Sequence, residues 1–471
     1  MTLLGLELSD AGIFVAGEKP ARLLAIDGQN PESPGFAIPK KKRLLVGNPA
    51  ASKAHLFPLQ VINRFWDRLN TEPLKQKNRH VQNHAEIACA HLSHIWENVK
   101  IHGDEMIVAV PDYYGREQLG LILGMARELS IPVKGFVSLP IAASLTPYPD
   151  AMLLHLDIHL HRFEIVYLHQ GEQLTCENSI AVREINLEQL YRVWVESIAE
   201  EFVRFTRFDP LHQAATEQAL YDRLSDALEI FKRQRSFLFE ISHGTDSYRI
   251  TVLLDLLEQK SEAVYDDICR LILKMRDEHG KNGFSTVLQL THRIACLPGL
   301  KDKLSEIDHC EIVELAPGAG AQGVLQFRRQ LADGHAGQGA FFFTSRSWQK
   351  AKSEISPMIP NKTPDQVQAT HLLYGDVAYP LSEKPLFIGW DRYPTGKGIH
   401  VKGQSSGVSR KHCTVQRDAD RIILTDYSDQ GTFVGRRRVD GATTLELGQI
   451  VRLGSSGETI RLIVCMETDE T

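Results

Sequence analysis

The run 409–412 carries the side chains of this chain that are best suited to hold an anion. It reads Ser-Arg-Lys-His, and the pair Gly431-Thr432 follows about twenty residues later. A serine hydroxyl and an arginine guanidinium can both donate charge-assisted hydrogen bonds to phosphate oxygens. The side chains of this run can therefore donate hydrogen bonds to an anion such as phosphate.

Short apolar runs surround this site and must position it. They alternate with Gly, Asp and Ser turns and lie at residues 385–390, 398–401, 413–416, 421–427, 432–435, 449–454 and 458–465. Runs of this length with turn residues between them are typical of a small antiparallel β-sandwich. We therefore predict that the C-terminal region is an all-β sandwich.

The motif and its strands together resemble the forkhead-associated (FHA) domain. Members of that family hold a phosphothreonine peptide with loops at one end of a β-sandwich. The resemblance implies that Ser409 and Arg410 donate hydrogen bonds to the phosphate and that His412 braces the loop. It also implies a protein partner that carries a phosphothreonine or an acidic peptide.

Two positions depart from the family pattern. The Gly-Arg of the family is Gly389-Trp390 here, and its Asn is Gln430. We expect Arg392 to replace the missing arginine, and we expect Gln430 and the pair Gly431-Thr432 to complete the site. The lysines at 397 and 402 are alternative replacements. A sandwich that keeps the fold but has lost phosphate binding is the alternative interpretation.

The length and composition limit the classes of function. The chain has 471 residues, more than one hydrophobic core usually serves, so we expect at least two domains. The net charge of −6 and the lack of a long basic run argue against nucleic acid as a partner. Seven cysteines without a CxxC pair suggest neither a zinc site nor redox chemistry. The lack of a cationic leader and of any apolar run of about 20 residues predicts a cytoplasmic protein without membrane insertion.

Residues 1–331 alternate strand-like and helix-like segments, which predicts an α/β domain. Four segments occur in the order found in the actin-like ATPase superfamily and resemble its heat-shock chaperone branch, the DnaK-like proteins. They are 46–69, 108–145, 154–168 and 288–304. The resemblance implies an actin-like body of two lobes, with a nucleotide cleft lined by residues near 7–10, 157–162 and 291–295.

The glycine-rich turns that hold phosphates in this superfamily are replaced here. Their positions carry residues 7–10, 159–162 and 292–294, where each new side chain adds bulk beside the nucleotide. We therefore expect no cofactor and no ATPase activity. A residual cleft would be formed by Glu7, Asp10, Asp157, Arg162, Thr291 and His292. Its carboxylates are expected at solvated strand ends, and they would hold ATP and Mg²⁺ only in a divergent ATPase.

Four histidines, at 155, 159, 161 and 169, fall on one face of a predicted strand pair. No Cys or second His cluster in the sequence completes a metal site around them. We therefore interpret them as part of a polar hairpin and expect no metal.

The regular pattern is lost after residue 331. Gly, Ser, Pro and Lys are frequent over 332–368, which predicts a linker between a body at 1–331 and an FHA domain at 369–471. The apolar run 340–344 inside this linker predicts an edge strand or a docking segment.

These observations favour a non-catalytic scaffold or adaptor that binds protein partners through its FHA domain. The alternative is a divergent ATP-binding, chaperone-like or filament-forming ATPase that the FHA domain targets. A third interpretation is a structural subunit whose sandwich docks protein surfaces without phosphate. The sequence leaves the oligomeric state open.

Overall fold

The chain divides into two compact units, Met1–Lys350 and Ala351–Thr471. The computed structural model describes residues 2–18, 21–40, 43–74, 81–279, 285–328, 341–347, 370–374, 377–390, 398–401, 408–418, 421–434, 437–445, 449–454 and 458–463. The first unit mixes helices and strands and the second contains strands alone among its described residues, so the predicted organisation of an α/β body followed by a β-sandwich is confirmed. None of the helices that the structure describes combines the length and apolar composition needed to span a bilayer.

The first half of the N-terminal unit contains eight strands and four helices in its described residues. In chain order they are β1 (Leu3–Glu7), β2 (Ile13–Glu18), β3 (Ala21–Leu23), β4 (Glu32–Ser33), β5 (Ala37–Pro39), β6 (Leu44–Val46), α1 (Asn48–Ala51), α2 (His84–Val99), β7 (Glu105–Val110), α3 (Arg116–Glu128), β8 (Val133–Ser138) and α4 (Leu139–Ala143). A short 3-10 helix, Lys100–His102, joins α2 to β7.

The second half of this unit continues with nine strands and six helices among the described residues. They are β9 (Ala151–Ile158), β10 (Phe163–Gln170), β11 (Gln173–Val182), α5 (Leu187–Thr206), α6 (Ala214–Phe231), β12 (Ser236–His243), β13 (Asp246–Leu253), α7 (Leu254–His279), β14 (Ser285–Leu290), α8 (His292–Ala295), α9 (Leu300–Leu304), β15 (Cys310–Glu314), α10 (Ala319–Gly323), β16 (Phe341–Phe343) and β17 (Ser345–Ser347). Two further 3-10 helices are Pro210–His212 and Val324–Phe327.

The two large sheets of this unit repeat one strand order. In the first, β1, β2 and β3 form an antiparallel meander, and β7 and β8 extend it in parallel on the other side of β1. In the second, β9, β10 and β11 form the meander, and β14 and β15 extend it in parallel beside β9. The inner parallel strands are almost wholly buried, as β7 and β14 show, because helices cover both faces of such sheets.

Each sheet has its own hydrophobic core. The first sheet packs on α2 and α3 around residues such as Leu4, Ile95 and Val108. The second packs on α5, α6 and α7. In α5 the buried residues recur every three or four positions, for example at Trp194 and Ile198, which is the apolar stripe expected of an amphipathic helix.

The segment Phe341–Ser347 adds one strand to each of the two sheets. Its strand β16 pairs in parallel with β8 in the first sheet, and β17 pairs in antiparallel with β11 in the second. Phe343 stacks near Phe327, with 5.5 Å between ring centroids, and Arg346 donates a hydrogen bond to Gln326. Of the two interpretations of the run 340–344, the edge strand is correct. These seven residues of the predicted linker 332–368 therefore belong to the N-terminal unit.

The C-terminal unit consists of two sheets that enclose one core. Its strands are β18 (His371–Tyr374), β19 (Val377–Pro380), β20 (Leu386–Gly389), β21 (Gly398–His400), β22 (Cys413–Asp418), β23 (Arg421–Asp426), β24 (Thr432–Val434), β25 (Arg437–Arg438), β26 (Ala442–Leu445), β27 (Ile450–Leu453) and β28 (Thr459–Ile463). One sheet has the order β19-β18-β28-β27-β24-β25 and the other β21-β20-β22-β23-β26. Inward residues such as Ile388, Val415 and Leu462 fill the space between them.

Candidate functional site

The loop 409–412 lies directly against the end of β20. Gly389 makes this approach feasible, because a Cβ at that position would lie 2.0 Å from the carbonyl oxygen of Arg410. The amide of Trp390 donates a hydrogen bond to the carbonyl of Ser409 across the same contact, at 3.4 Å. A glycine at 389 is therefore required by packing.

His412 holds the loop 409–412 in its conformation from the core side. Its side chain is fully buried, and Nδ1 accepts a hydrogen bond from the backbone N–H of Ser409 at 3.0 Å. Burial lowers the pKa of His412, although the Asp426 carboxylate opposes this shift, so the neutral ring is favoured and Nδ1 can accept. The backbone of His412 also bonds to Ile388 and Tyr427, at 2.9 and 2.8 Å. These contacts join the loop 409–412 to β20 and to the residue that follows β23.

Thr432 lies beneath the loops rather than at their surface. It is fully buried, and its hydroxyl donates to Oδ1 of Asp426 at 2.6 Å. The hydroxyl of Ser428 donates to the same oxygen at 2.7 Å. Although burial favours the neutral acid, these bonds hold the pKa of Asp426 below its ordinary value. Thr432 was predicted to complete the binding site, but its single hydroxyl proton is used within the fold. Asp426, which sequence reasoning missed, organises this turn.

Gly431 also has a backbone role. Its φ of +83° lies in the left-handed region that favours glycine, and its carbonyl accepts a hydrogen bond from Gly454 at 2.9 Å. The turn that presents Gln430 is therefore set by the backbone at 431.

The loops enclose a surface concavity of about 530 Å³ at one end of the sandwich. It is lined by Trp390, Val408, Ser409, Arg410, Lys411, Tyr427, Asp429 and Gln430. Three of the predicted site residues, Ser409, Arg410 and Gln430, thus line one concavity. The predicted substitute Arg392, with Lys397 and Lys402, lies outside the described residues.

The polar groups of this concavity suit an anion. The hydroxyl oxygen of Ser409 accepts a hydrogen bond from the backbone N–H of Asp429 at 3.2 Å, so its own proton remains available to donate. The guanidinium of Arg410 lies 5.1 Å from the ring centroid of Trp390, and the ammonium of Lys411 lies 4.0 Å from that of Tyr427. Sequence reasoning did not assign roles to Lys411, Tyr427 or Asp429, although Lys411 stands inside the motif.

A second group of polar residues lies in the N-terminal unit, where three distant turns meet. The Ser9 hydroxyl is 2.9 Å from Nδ1 of His159, and Asp10 accepts a hydrogen bond from the Leu160 amide at 2.7 Å. The Thr291 hydroxyl donates to Asp157 at 2.7 Å. The three segments predicted to line a common cleft are therefore in contact with one another.

The carboxylates of this group are buried rather than solvated, which corrects the expectation of exposed strand ends. Glu7 accepts hydrogen bonds from the amides of Gly320 and Ala321 at 2.8 and 3.3 Å, and Arg293 lies 3.6 Å away. Burial raises the pKa of Glu7, and Arg293 opposes this shift. For Asp157, burial is outweighed by the nearby positive charges, chiefly that of His159, and the pKa is lowered.

His159 lies among these carboxylates. Its Nε2 is 3.6 Å from Asp157 and 3.7 Å from Glu164, and the side chain is fully buried. Burial alone would lower the pKa of His159, but the carboxylates, first of all Asp157, raise it. The surrounding carboxylates therefore favour the protonated form of this buried imidazole.

Two more predicted cleft residues are held by the fold. Arg162 is buried, pairs with Asp67 through its guanidinium, and stacks 3.8 Å from the ring centroid of Tyr113. His292 packs edge-on against Phe14, with 5.2 Å between ring centroids, and its pKa is lowered to about 3 by burial and by Arg293. Each of these side chains fills space with protein contacts.

The remaining histidines of the predicted polar hairpin differ among themselves. His155 and His161 are buried and bonded to Gln289 and to the carbonyl of Asn63, at 2.9 and 3.0 Å, whereas His169 is exposed. The single polar face that the alternation predicted is therefore wrong. Across the described ranges, no group of three or more His, Cys, Asp or Glu side chains is arranged to hold a metal ion.

The loops at one end of the β-sandwich thus carry hydroxyl, guanidinium and ammonium groups that suit an anion. Comparison with protein-family models matches residues 392–454 to the FHA domain, so this region of the chain is an FHA domain. The match includes the loop 409–412 and the turn at 429–432. A search of curated proteins finds no match to the chain. The resemblance of the N-terminal region to actin-like ATPases therefore receives no support from these comparisons.

Proposed function

We propose that this protein is a non-catalytic adaptor whose FHA domain binds a threonine-phosphorylated protein partner. The observation that carries the proposal is the convergence of Ser409, Arg410 and Lys411 on one concavity of a domain matched to the FHA family. A hydroxyl donor and two cations are complementary to a phosphate dianion, whereas an unphosphorylated threonine offers them no negative charge.

The test compares two peptide mixtures on the full-length chain. One mixture has phosphothreonine at a fixed central position with random flanks, and the other has threonine there. We expect the phosphorylated mixture to bind more tightly, and Arg410→Ala to weaken it by about tenfold or more, since a lost charged hydrogen bond costs about 1.5–3 kcal/mol. Lys384→Ala, which removes an exposed lysine of the same unit, is the matched control. Equal affinity for both mixtures would refute phosphate recognition.

For the N-terminal unit we propose an actin-like body that acts as a scaffold. Two features support this proposal. The two large sheets share one strand order, and the three turns that would line a cleft are in contact. The buried His159 and Arg293 occupy these turns, where they lie against carboxylates of the fold. The described cysteines are free thiols, which supports a reducing, cytoplasmic location.

One observation favours the second candidate, a divergent nucleotide-binding protein. A cavity of about 980 Å³ lies beside the buried group, and Lys232, Arg235 and His292 are among its lining residues. Titration calorimetry with ATP and Mg²⁺ tests it. The scaffold proposal predicts no saturable heat. Saturable binding with hydrolysis that Asp157→Ala abolishes would establish the ATPase alternative instead.

A further inference from the structure

We infer that Lys411, held against Tyr427, supplies the second phosphate-binding cation of this FHA domain. The inference rests on the proposed function, because it names how the same concavity recognises phosphate. The residue after Gly389 is Trp390 rather than the arginine of the family pattern, and Lys411, inside the motif, supplies the positive charge instead.

The position of the lysine is the first argument. Its ammonium lies 4.0 Å from the ring centroid of Tyr427 and 5.0 Å from that of Phe387. Cation–π attraction at such distances holds a lysine over an aromatic face without neutralising its charge. Lys411 and Tyr427 both line the concavity that contains the Ser409 hydroxyl. The lysine is thus pre-positioned beside the other phosphate donors.

The second argument concerns Trp390, which stands where an arginine would be expected. Tryptophan carries no positive charge, but the centroid of its ring lies 5.1 Å from the guanidinium carbon of Arg410. An aromatic face at this distance restrains the arginine and lowers the entropy lost when it binds a ligand. The substitution at 390 therefore changes how Arg410 is held, and the loop 409–412 itself supplies both cations.

The third argument comes from a charge of the opposite sign. Asp429 lines the same concavity and also fixes Ser409 through its backbone N–H. Its carboxylate repels a phosphate dianion, whereas it would attract a basic peptide. Neutralising this side chain must therefore raise the affinity for a phosphorylated peptide and lower the affinity for a basic one. The substitution Asp429→Asn leaves the hydrogen bond from the backbone N–H to Ser409 in place.

The experiment measures fluorescence anisotropy of the full-length chain with the labelled phosphothreonine mixture and its unphosphorylated counterpart. We expect Lys411→Ala to weaken the phosphorylated mixture by about tenfold and Lys411→Arg to keep affinity within about threefold. Asp429→Asn should tighten binding by about threefold or more, because a like charge is removed. Lys384→Ala should leave affinity unchanged, and thermal unfolding confirms that each variant is folded.

The outcomes separate this inference from the proposed function. If the wild-type chain shows no preference for the phosphorylated mixture, the proposed function fails. If that preference is present and Arg410→Ala reduces it, while Lys411→Ala behaves like Lys384→Ala, only the role of Lys411 is refuted. Weaker binding by Asp429→Asn would show that the concavity selects basic peptides, and would overturn the inference.

Discussion

Replacing Arg293 tests whether the polar group of the N-terminal unit is a closed structural core. Arg293 is buried, lies 3.6 Å from Glu7 and 3.0 Å from Glu32, and donates to the carbonyl of Gly12 at 2.7 Å. Methionine has a similar length but no charge. Removing one partner of a buried ion pair typically costs about 3–5 kcal/mol, because the other charge is left uncompensated. We expect Arg293→Met to destabilise this unit by that amount near neutral pH.

The loss should depend on pH in a defined direction. Burial already raises the pKa of Glu7, and Arg293 is the largest opposing influence, so the pKa rises further in Arg293→Met. A carboxyl with a raised pKa in the folded state binds its proton more readily there than in the unfolded chain. The variant therefore loses stability as pH rises through that folded-state pKa. The difference from the wild type should be smaller at pH 5 than at pH 8.

Urea unfolding followed by tryptophan fluorescence provides the assay, since Trp66 and Trp194 are fully buried in this unit. Arg270→Met is the control, because Arg270 forms an exposed ion pair and its loss should change little. Adding Glu7→Gln to Arg293→Met should restore part of the stability by removing the stranded carboxylate. A loss below about 1 kcal/mol with no pH dependence would refute the reasoning, because it would mean that both groups are solvated.

Three further predictions concern other parts of the chain. Burial lowers the pKa of His91 to about 3, so the unfolded chain takes up a proton at this residue before the folded protein does. The free energy of unfolding of the N-terminal unit, measured by urea unfolding at each pH, should therefore fall by about 2 kcal/mol as the pH is lowered from 6.5 to 5. Phe343→Ala should lower the thermal midpoint of that unit by removing the contact with Phe327, whereas Phe342→Ala, at a 43% exposed neighbour, should not. Gly389→Ala should abolish binding of the phosphothreonine mixture, because its Cβ would displace the loop 409–412; unchanged binding would contradict the required close approach.

The FHA strands could be predicted because their signals are local. Apolar and polar residues alternate over the first four residues of β22, β23 carries a short apolar run, and the turns between strands carry Gly, Asp and Ser, so each strand is recognisable in its own few residues. The concavity was only partly predictable. Ser409 and Arg410 follow from the motif, but the placement of Lys411 over Tyr427 depends on the register of β22 and β23, in which Cys413 pairs with Asp426.

The N-terminal group shows why burial could not be predicted from sequence. The resemblance implied which turns meet, but not that they pack tightly. Glu7 is enclosed by amides 313 and 314 residues away, and Asp10 is bonded to an amide 150 residues away. A carboxylate after a strand has the same local sequence whether it faces water or a distant helix. The pairing partners of β16 and β17 could not be predicted for the same reason, since three-residue runs carry too little periodicity to identify them.

The buried group in the N-terminal unit contains basic side chains that lie close to its carboxylates. Acidic side chains packed together repel one another unless a positive charge lies between them. His159 lies within 3.7 Å of Asp157 and Glu164, and Arg293 lies between Glu7 and Glu32. Removing either basic side chain would leave buried carboxylates without an opposing charge, which is the physical reason for the loss of stability expected in Arg293→Met.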